Sequence, residues 1–110
     1  MNVPVIANGD IFSLEDAKKC QILTGVDGVM AARGLLANPA LFKGYKEVPD
    51  ECILDFLNVG VEYAPNFKSF HFLLSSMLFQ KHTSSDIQTF NNLTSMESVI
   101  QYFRDRNFEI

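Results

Sequence analysis

Val3-Pro4-Val5-Ile6-Ala7-Asn8-Gly9-Asp10-Ile11 and Asp27-Gly28-Val29-Met30-Ala31-Ala32-Arg33-Gly34-Leu35 decide the fold of this chain. Each is a short β-branched or apolar run closed by a glycine-containing turn, the pattern of a buried parallel strand that delivers its carboxyl end to a loop. The segment between them reads as one helix, Leu14 to Thr24, with Ser13 as cap, Asp16 at the positive end of the dipole and Gly25 as stop. Leu14, Ala17 and Ile22 are its expected apolar contacts, and Lys18 and Lys19 its solvent face. Strand, helix and strand make a right-handed βαβ unit with two glycine loops on one edge, where backbone N–H groups can receive an anion.

Beyond the second strand, Gly34-Leu35-Leu36-Ala37 predicts a helical turn aimed at the loop. Asn38 as cap and Pro39 at the first helical position predict a further helix carrying Ala40-Leu41-Phe42, which Gly44 ends. Tyr45 to Val48 is a polar connector and the candidate boundary. From Pro49 onward the periodicity is helical. Ile53, Phe56, Leu57, Gly60, Val61 and Ala64 define one face, and Pro65 is the expected break. Asn66 caps a second helix with a stripe of Phe67, Phe70, His71, Leu74, Met77 and Leu78; Phe72, Leu73 and Phe79 make another of its sides apolar, so it is the expected central helix. Thr83 to Asp86 opens a third, carrying Ile87 and Phe90. Thr94 and Glu97 form a capping-box pattern for a fourth, faced by Met96, Val99, Ile100 and Phe103.

A length of 110 residues holds about one domain with a modest core. With 47% hydrophobic and 20% charged residues the composition is globular rather than disordered. No apolar run approaches the roughly 18 residues of a membrane span, and the strand-like start does not resemble a signal peptide, so a cytoplasmic protein without membrane contact is expected. Cys20 and Cys52 lack partners at metal-ligand spacing and read as structural thiols, with no metal expected. The net charge of −4 arises after residue 47, where four Lys/Arg face eight Asp/Glu. That balance argues against an autonomous nucleic-acid binder, whose affinity would come from neutralising phosphates.

A two-stranded parallel sheet leaves both faces and both edges uncovered, so residues 1–45 read as the end of a larger sheet or barrel. In TIM barrels a phosphate site is often built from the loops after strands seven and eight and the start of a short extra helix. Asn8-Gly9-Asp10, Ala32-Arg33-Gly34 and the turn Leu35 to Ala37 supply such pieces in that order.

Ala7-Asn8-Gly9-Asp10-Ile11, Gly25-Val26-Asp27-Gly28-Val29-Met30 and Ala32-Arg33-Gly34-Leu35-Leu36-Ala37-Asn38-Pro39, followed by an all-helical tail, closely resemble the tRNA-dihydrouridine synthases, nearest to their eukaryotic 4-like group. The resemblance extends over essentially the whole chain. It implies an α/β fold: the last two βα units of an FMN-binding TIM (β/α)8 barrel over 1–45, then an all-α four-helix bundle over 46–110 of the tRNA-binding type. It also implies an oxidoreductase that uses FMN and NAD(P)H to reduce the C5–C6 bond of uridine in the tRNA D-loop. By position, Asn8, Gly9, Asp10, Ala32, Arg33 and Gly34 match the family's FMN-phosphate loops. Arg33 is the cation near both loops, although Arg33 could also serve a surface ion pair and Asn8-Gly9 a plain tight turn.

In the family, the second tail helix carries a basic residue followed two positions later by His, facing tRNA. Here His71 stands at the basic position and Leu73 replaces the His, a departure that weighs against RNA contact; His71 reads equally as a half-buried core histidine. Lys68 and Lys81 are further candidates for RNA phosphate contact, although the tail is acidic overall. The family's general-acid Cys and the flavin-ring pocket belong to segments outside these 110 residues, and neither Cys20 nor Cys52 matches the catalytic motif. No catalytic residue is assigned, and the chain alone is expected to be inactive. A non-catalytic helical tRNA- or protein-binding module, or the tail of another phosphate-binding barrel enzyme, are the alternative readings.

Overall fold

The computed structural model describes residues 3–63 and 66–110, and its chain separates into two compact units, Met1–Val48 and Pro49–Ile110. The class is α/β, mostly helical with one small parallel sheet. In the first unit strand β1 (Ile6–Asn8) leads through helix α1 (Leu14–Thr24) to strand β2 (Gly28–Met30) and then to the short helix α2 (Arg33–Ala37). A 3-10 turn over Leu41–Lys43 follows. The strands pair in parallel with Ile6 opposite Gly28, Ala7 opposite Val29 and Asn8 opposite Met30. They are shorter than the apolar runs suggested, because only three residues of each are paired.

Asp27 sets that register from the amino ends. Its carboxylate accepts the Val5 N–H at 2.8 Å, while its own N–H donates to the Val5 carbonyl at 2.9 Å. Helix α1 begins and ends where its sequence says. The Ser13 hydroxyl accepts the Asp16 N–H at 3.0 Å, and Gly25 closes the helix in the left-handed conformation at φ 70°. Asp16 does more than face the dipole, since its carboxylate accepts the Phe12 N–H at 3.0 Å.

The core of this unit is small: Ile11, Ala17 and Leu41 are buried, with Cys20, Val29, Ala31 and Leu35 packed against them. Ile22, expected inside, is 82% exposed beside an equally exposed Leu23. Helix α1 packs on β2 and on the 3-10 turn, and a sheet of two strands does not extend to the far end of the helix. Pro39 does not start an α-helix. It lies in a turn held by Asn38, whose buried side chain accepts the Ala40 N–H at 3.0 Å and donates to the Tyr45 carbonyl at 2.8 Å. With its donor and acceptor both used locally, Asn38 caps a turn and the chain tightens to 3-10 geometry.

The second unit is helical: α3 (Asp50–Tyr63), α4 (Phe67–Leu78), α5 (Ser84–Asn91) and α6 (Met96–Arg104). Helix α3 buries Ile53, Leu57 and Gly60, whereas Val61 is 44% exposed; Ala64 and Pro65, expected to extend and then break this helix, lie outside the described residues. Gly60 is where the ring of Phe70 crosses α3, and any side chain there would overlap that ring. Helix α4 starts at Asn66, whose side chain accepts the Ser69 N–H at 2.9 Å, and buries Phe70, Leu74, Met77 and Leu78. Phe72 and Phe79, which made a second side of α4 apolar in the sequence, are 58% and 71% exposed.

Thr83 caps α5 as expected. The capping box of α6 lies one residue beyond its predicted place: Ser95, not Thr94, accepts the Ser98 N–H, and Ser98 returns the bond to the Ser95 N–H, each at 3.2 Å. Around Phe90 an aromatic core assembles from His71, Tyr102 and Phe103 at ring separations of 4.6, 5.2 and 5.9 Å. Tyr102, absent from the predicted face of α6, is buried there. Both cysteines are half-buried free thiols. Among the described residues no helix is long and apolar enough to cross a membrane.

Candidate functional site

Parallel pairing sends the chain out of β1 and β2 at the same edge, so the loop from Gly9 to Phe12 and the loop from Ala31 to Arg33 lie side by side. The first loop is turned by residues suited to it. Gly9 has φ 136°, a region that side chains disfavour, and Asp10 has φ 53°, which Asp tolerates better than most. Nothing lies within 4 Å of a Cβ built on Gly9, so the turn is open on its outer side.

The loops meet through side chains. Arg33 Nη2 lies 3.3 Å from Asp10 Oδ1, and the two side chains are 78% and 84% exposed. An ion pair so exposed contributes about 0–1 kcal/mol and exchanges readily for another anion. The Arg33 guanidinium also lies 5.7 Å from the centre of the Phe12 ring. Behind it, α2 starts at Ala32, which offers no capping side chain. The first amides of this turn thus lack the side-chain acceptor that Ser13 gives α1.

Of the six residues expected at this edge, five are exposed and arranged around it: Asn8 ends β1, Gly9 and Asp10 lie in the first loop, Ala32 ends the second, and Arg33 opens α2. Gly34 differs. It is buried, and a Cβ there would overlap the Ile11 carbonyl oxygen and approach Leu41 Cδ1 to 2.9 Å. Its bareness therefore lets the Ile11–Phe12 backbone pack on α2, and it serves the edge by holding the two loops together.

The two candidates on α4 separate by environment. Lys68 is exposed in the first turn. His71 is half-buried, donating from Nε2 to the Phe90 carbonyl at 2.8 Å and stacked between Phe67 and Phe90 at ring separations of 5.2 and 4.6 Å.

A polar cluster that local sequence patterns do not signal lies in the same unit. His82 Nδ1 is 2.9 Å from the Tyr102 hydroxyl, Arg106 stacks on the Tyr102 ring at 3.5 Å, and Arg106 Nη2 lies 3.4 Å from Asp86 Oδ1. Burial lowers the His82 pKa below its ordinary 6.5; Asp86 opposes the shift and Arg106 reinforces it. Burial likewise raises the Tyr102 pKa above 10. His82 and Tyr102, like Asp86 and Arg106, stand twenty residues apart and leave no motif, which is why only the folded chain discloses the cluster.

The family model described as dihydrouridine synthase (Dus) matches residues 1–108. A human protein named tRNA-dihydrouridine(20a/20b) synthase [NAD(P)+]-like is 45% identical over 105 residues, covering 96% of this chain and 33% of its own length. The tRNA-dihydrouridine(20a/20b) synthase [NAD(P)+] of Saccharomyces cerevisiae is 41% identical over 110 residues, covering 98% of this chain and 30% of its own. A probable tRNA-dihydrouridine synthase 1 of Synechocystis is 58% identical over 41 residues, 37% of this chain. The chain thus spans about a third of the length of the first two relatives. With the family match running through both units, the chain belongs to the dihydrouridine synthase family.

Proposed function

We propose that these 110 residues supply the phosphate end of an FMN site in a tRNA-dihydrouridine synthase. The reading places residues 1–45 at the end of a TIM barrel and residues 46–110 in a helical bundle of the tRNA-binding type. The substrate is then uridine in the D-loop of tRNA and the reductant NAD(P)H, in line with the names of the relatives. The observation that supports it is the Asp10–Arg33 pair, which bridges two loops leaving one sheet edge.

The donor set at this edge fits a phosphate monoester. Arg33 supplies a planar, permanently charged fork, which suits a phosphate better than a point charge does. The open Gly9 turn and the uncapped start of α2 leave backbone amides beside it. Asp10 is an acceptor and contributes no bond to an anion; its place is to hold Arg33 across the loops. FMN, when bound, supplies the hydride chemistry. The chain's own residues anchor and orient the phosphate and leave the reacting ring to other segments. Neither Cys20 nor Cys52 matches the catalytic motif of the family, so on this reading the 110 residues by themselves bind without reducing uridine. In the helical unit, Lys68 is an exposed cation that we assign to RNA backbone contact, while His71 serves the aromatic core.

Flavin titration of the purified chain tests this. FMN binding that riboflavin, which lacks the phosphate, does not reproduce, and that Arg33→Ala weakens at least tenfold, is the expected result. Equal binding of FMN and riboflavin, or indifference to Arg33→Ala, overturns it.

A further inference from the structure

Phe12 is 48% exposed, and four constraints hold its backbone in place. Ile11 before it is buried in the small core, Ser13 after it caps α1, and its own N–H is held by the Asp16 carboxylate at 3.0 Å. Gly34 fixes it from below, because a Cβ there would come within 3.3 Å of the Phe12 Cα. With its backbone so held, the Phe12 ring lies beside Arg33, the residue before Gly34 in α2, whose guanidinium carbon is 5.7 Å from the ring centre. A half-exposed aromatic so anchored gains little from burial, and a ring face within about 6 Å of a cation attracts it electrostatically.

An exposed arginine spreads over many rotamers, and an anion that it grips must first collect them. We propose that Phe12 is a positioning residue for the anion edge: with Asp10 it holds the Arg33 guanidinium across the two loops before any phosphate arrives. Asp10 restrains one end of the fork through its charge, and that restraint is released when an anion takes the same nitrogens. The Phe12 ring competes for no hydrogen bond, so it keeps its hold while the anion is bound. The inference rests on the phosphate reading proposed above and adds to it a residue that touches no ligand.

The test is a titration of the complete chain with inorganic phosphate at constant ionic strength, followed by the Arg33 Nε–H and the Gly9 and Ala32 amide signals. Phe12→Leu keeps an apolar side chain and removes the ring face; about a two- to fivefold weaker phosphate affinity is expected. Phe12→Trp should restore or exceed the original affinity, since Trp is the strongest cation–π partner. A merely structural role would not rank Trp above Leu at an exposed position. Equal affinity for all three chains, with Arg33→Ala still abolishing the response, overturns this inference alone. A phosphate response absent from the start, or indifferent to Arg33→Ala, overturns the phosphate reading and this inference together.

Discussion

Gly34→Ala would place a methyl group where α2 meets the Ile11–Phe12 backbone, and the cost can be worked from the three atoms that it meets. The Ile11 carbonyl oxygen overlaps the new carbon, Leu41 Cδ1 lies at 2.9 Å and the Phe12 Cα at 3.3 Å. None of them yields easily. Two belong to the backbone, and Leu41 is fully buried, so turning its methyl away only moves the collision deeper into the core. Overpacking of this kind costs about 1–3 kcal/mol. Against it stands the helix propensity of alanine, which favours the substitution by about 0.8–1 kcal/mol. Because the nearest atom is a backbone oxygen that cannot turn aside, the cost lies at the upper end of that range, and the net expectation is a loss of about 2 kcal/mol, localised to the first unit. Urea unfolding followed by the amide signals of Ile11 and Leu41 reads that unit directly, and its midpoint should fall. A midpoint that rises or stays put would show that the backbone gives way freely, and the account of Gly34 as the spacer between the loops would be refuted.

Three other outcomes follow from the structure. Because burial lowers the His82 pKa, the stability it confers is complete above the unfolded value of 6.5 and is lost as pH falls through the depressed folded value. The second unit should weaken on acidification below about pH 6.5, and His82→Gln should flatten that slope in pH-dependent denaturation curves. Asn38→Ala strands the Tyr45 carbonyl and the Ala40 N–H and should cost about 1–3 kcal/mol in urea unfolding, with an unchanged midpoint counting against the role described. Ser95→Ala should lose about 1 kcal/mol and Thr94→Ala less than about 0.5 kcal/mol in thermal melts; the reverse order would return the cap of α6 to Thr94.

Features governed by near neighbours were legible in the sequence. Ser13, Asn66 and Thr83 cap their helices because the bond needed reaches only three residues, and both strands lie inside the quoted apolar runs. The same local rule is degenerate at Thr94 and Ser95, where adjacent hydroxyls each precede a polar residue by three, and only packing selects Ser95. Hydrophobicity alone misplaced Ile22, Val61, Phe72 and Phe79, because it records that a side chain is apolar and not whether another element reaches it. At the candidate site the placement of Asp10 and Arg33 just beyond the two strands could be read from the sequence. Their contact could not, since it depends on the strand register, and neither could the place of Phe12, whose backbone several separate contacts hold.

The Asp27 clamp has a consequence for how such an edge can change over generations. It aligns the two strands before the first paired residue, at the end away from Gly9 and Arg33. Substitutions in the loops therefore alter what the edge offers a ligand without disturbing the alignment that brings the loops together. Inheritance can rewrite one end of this pair of strands while the other keeps the text in line.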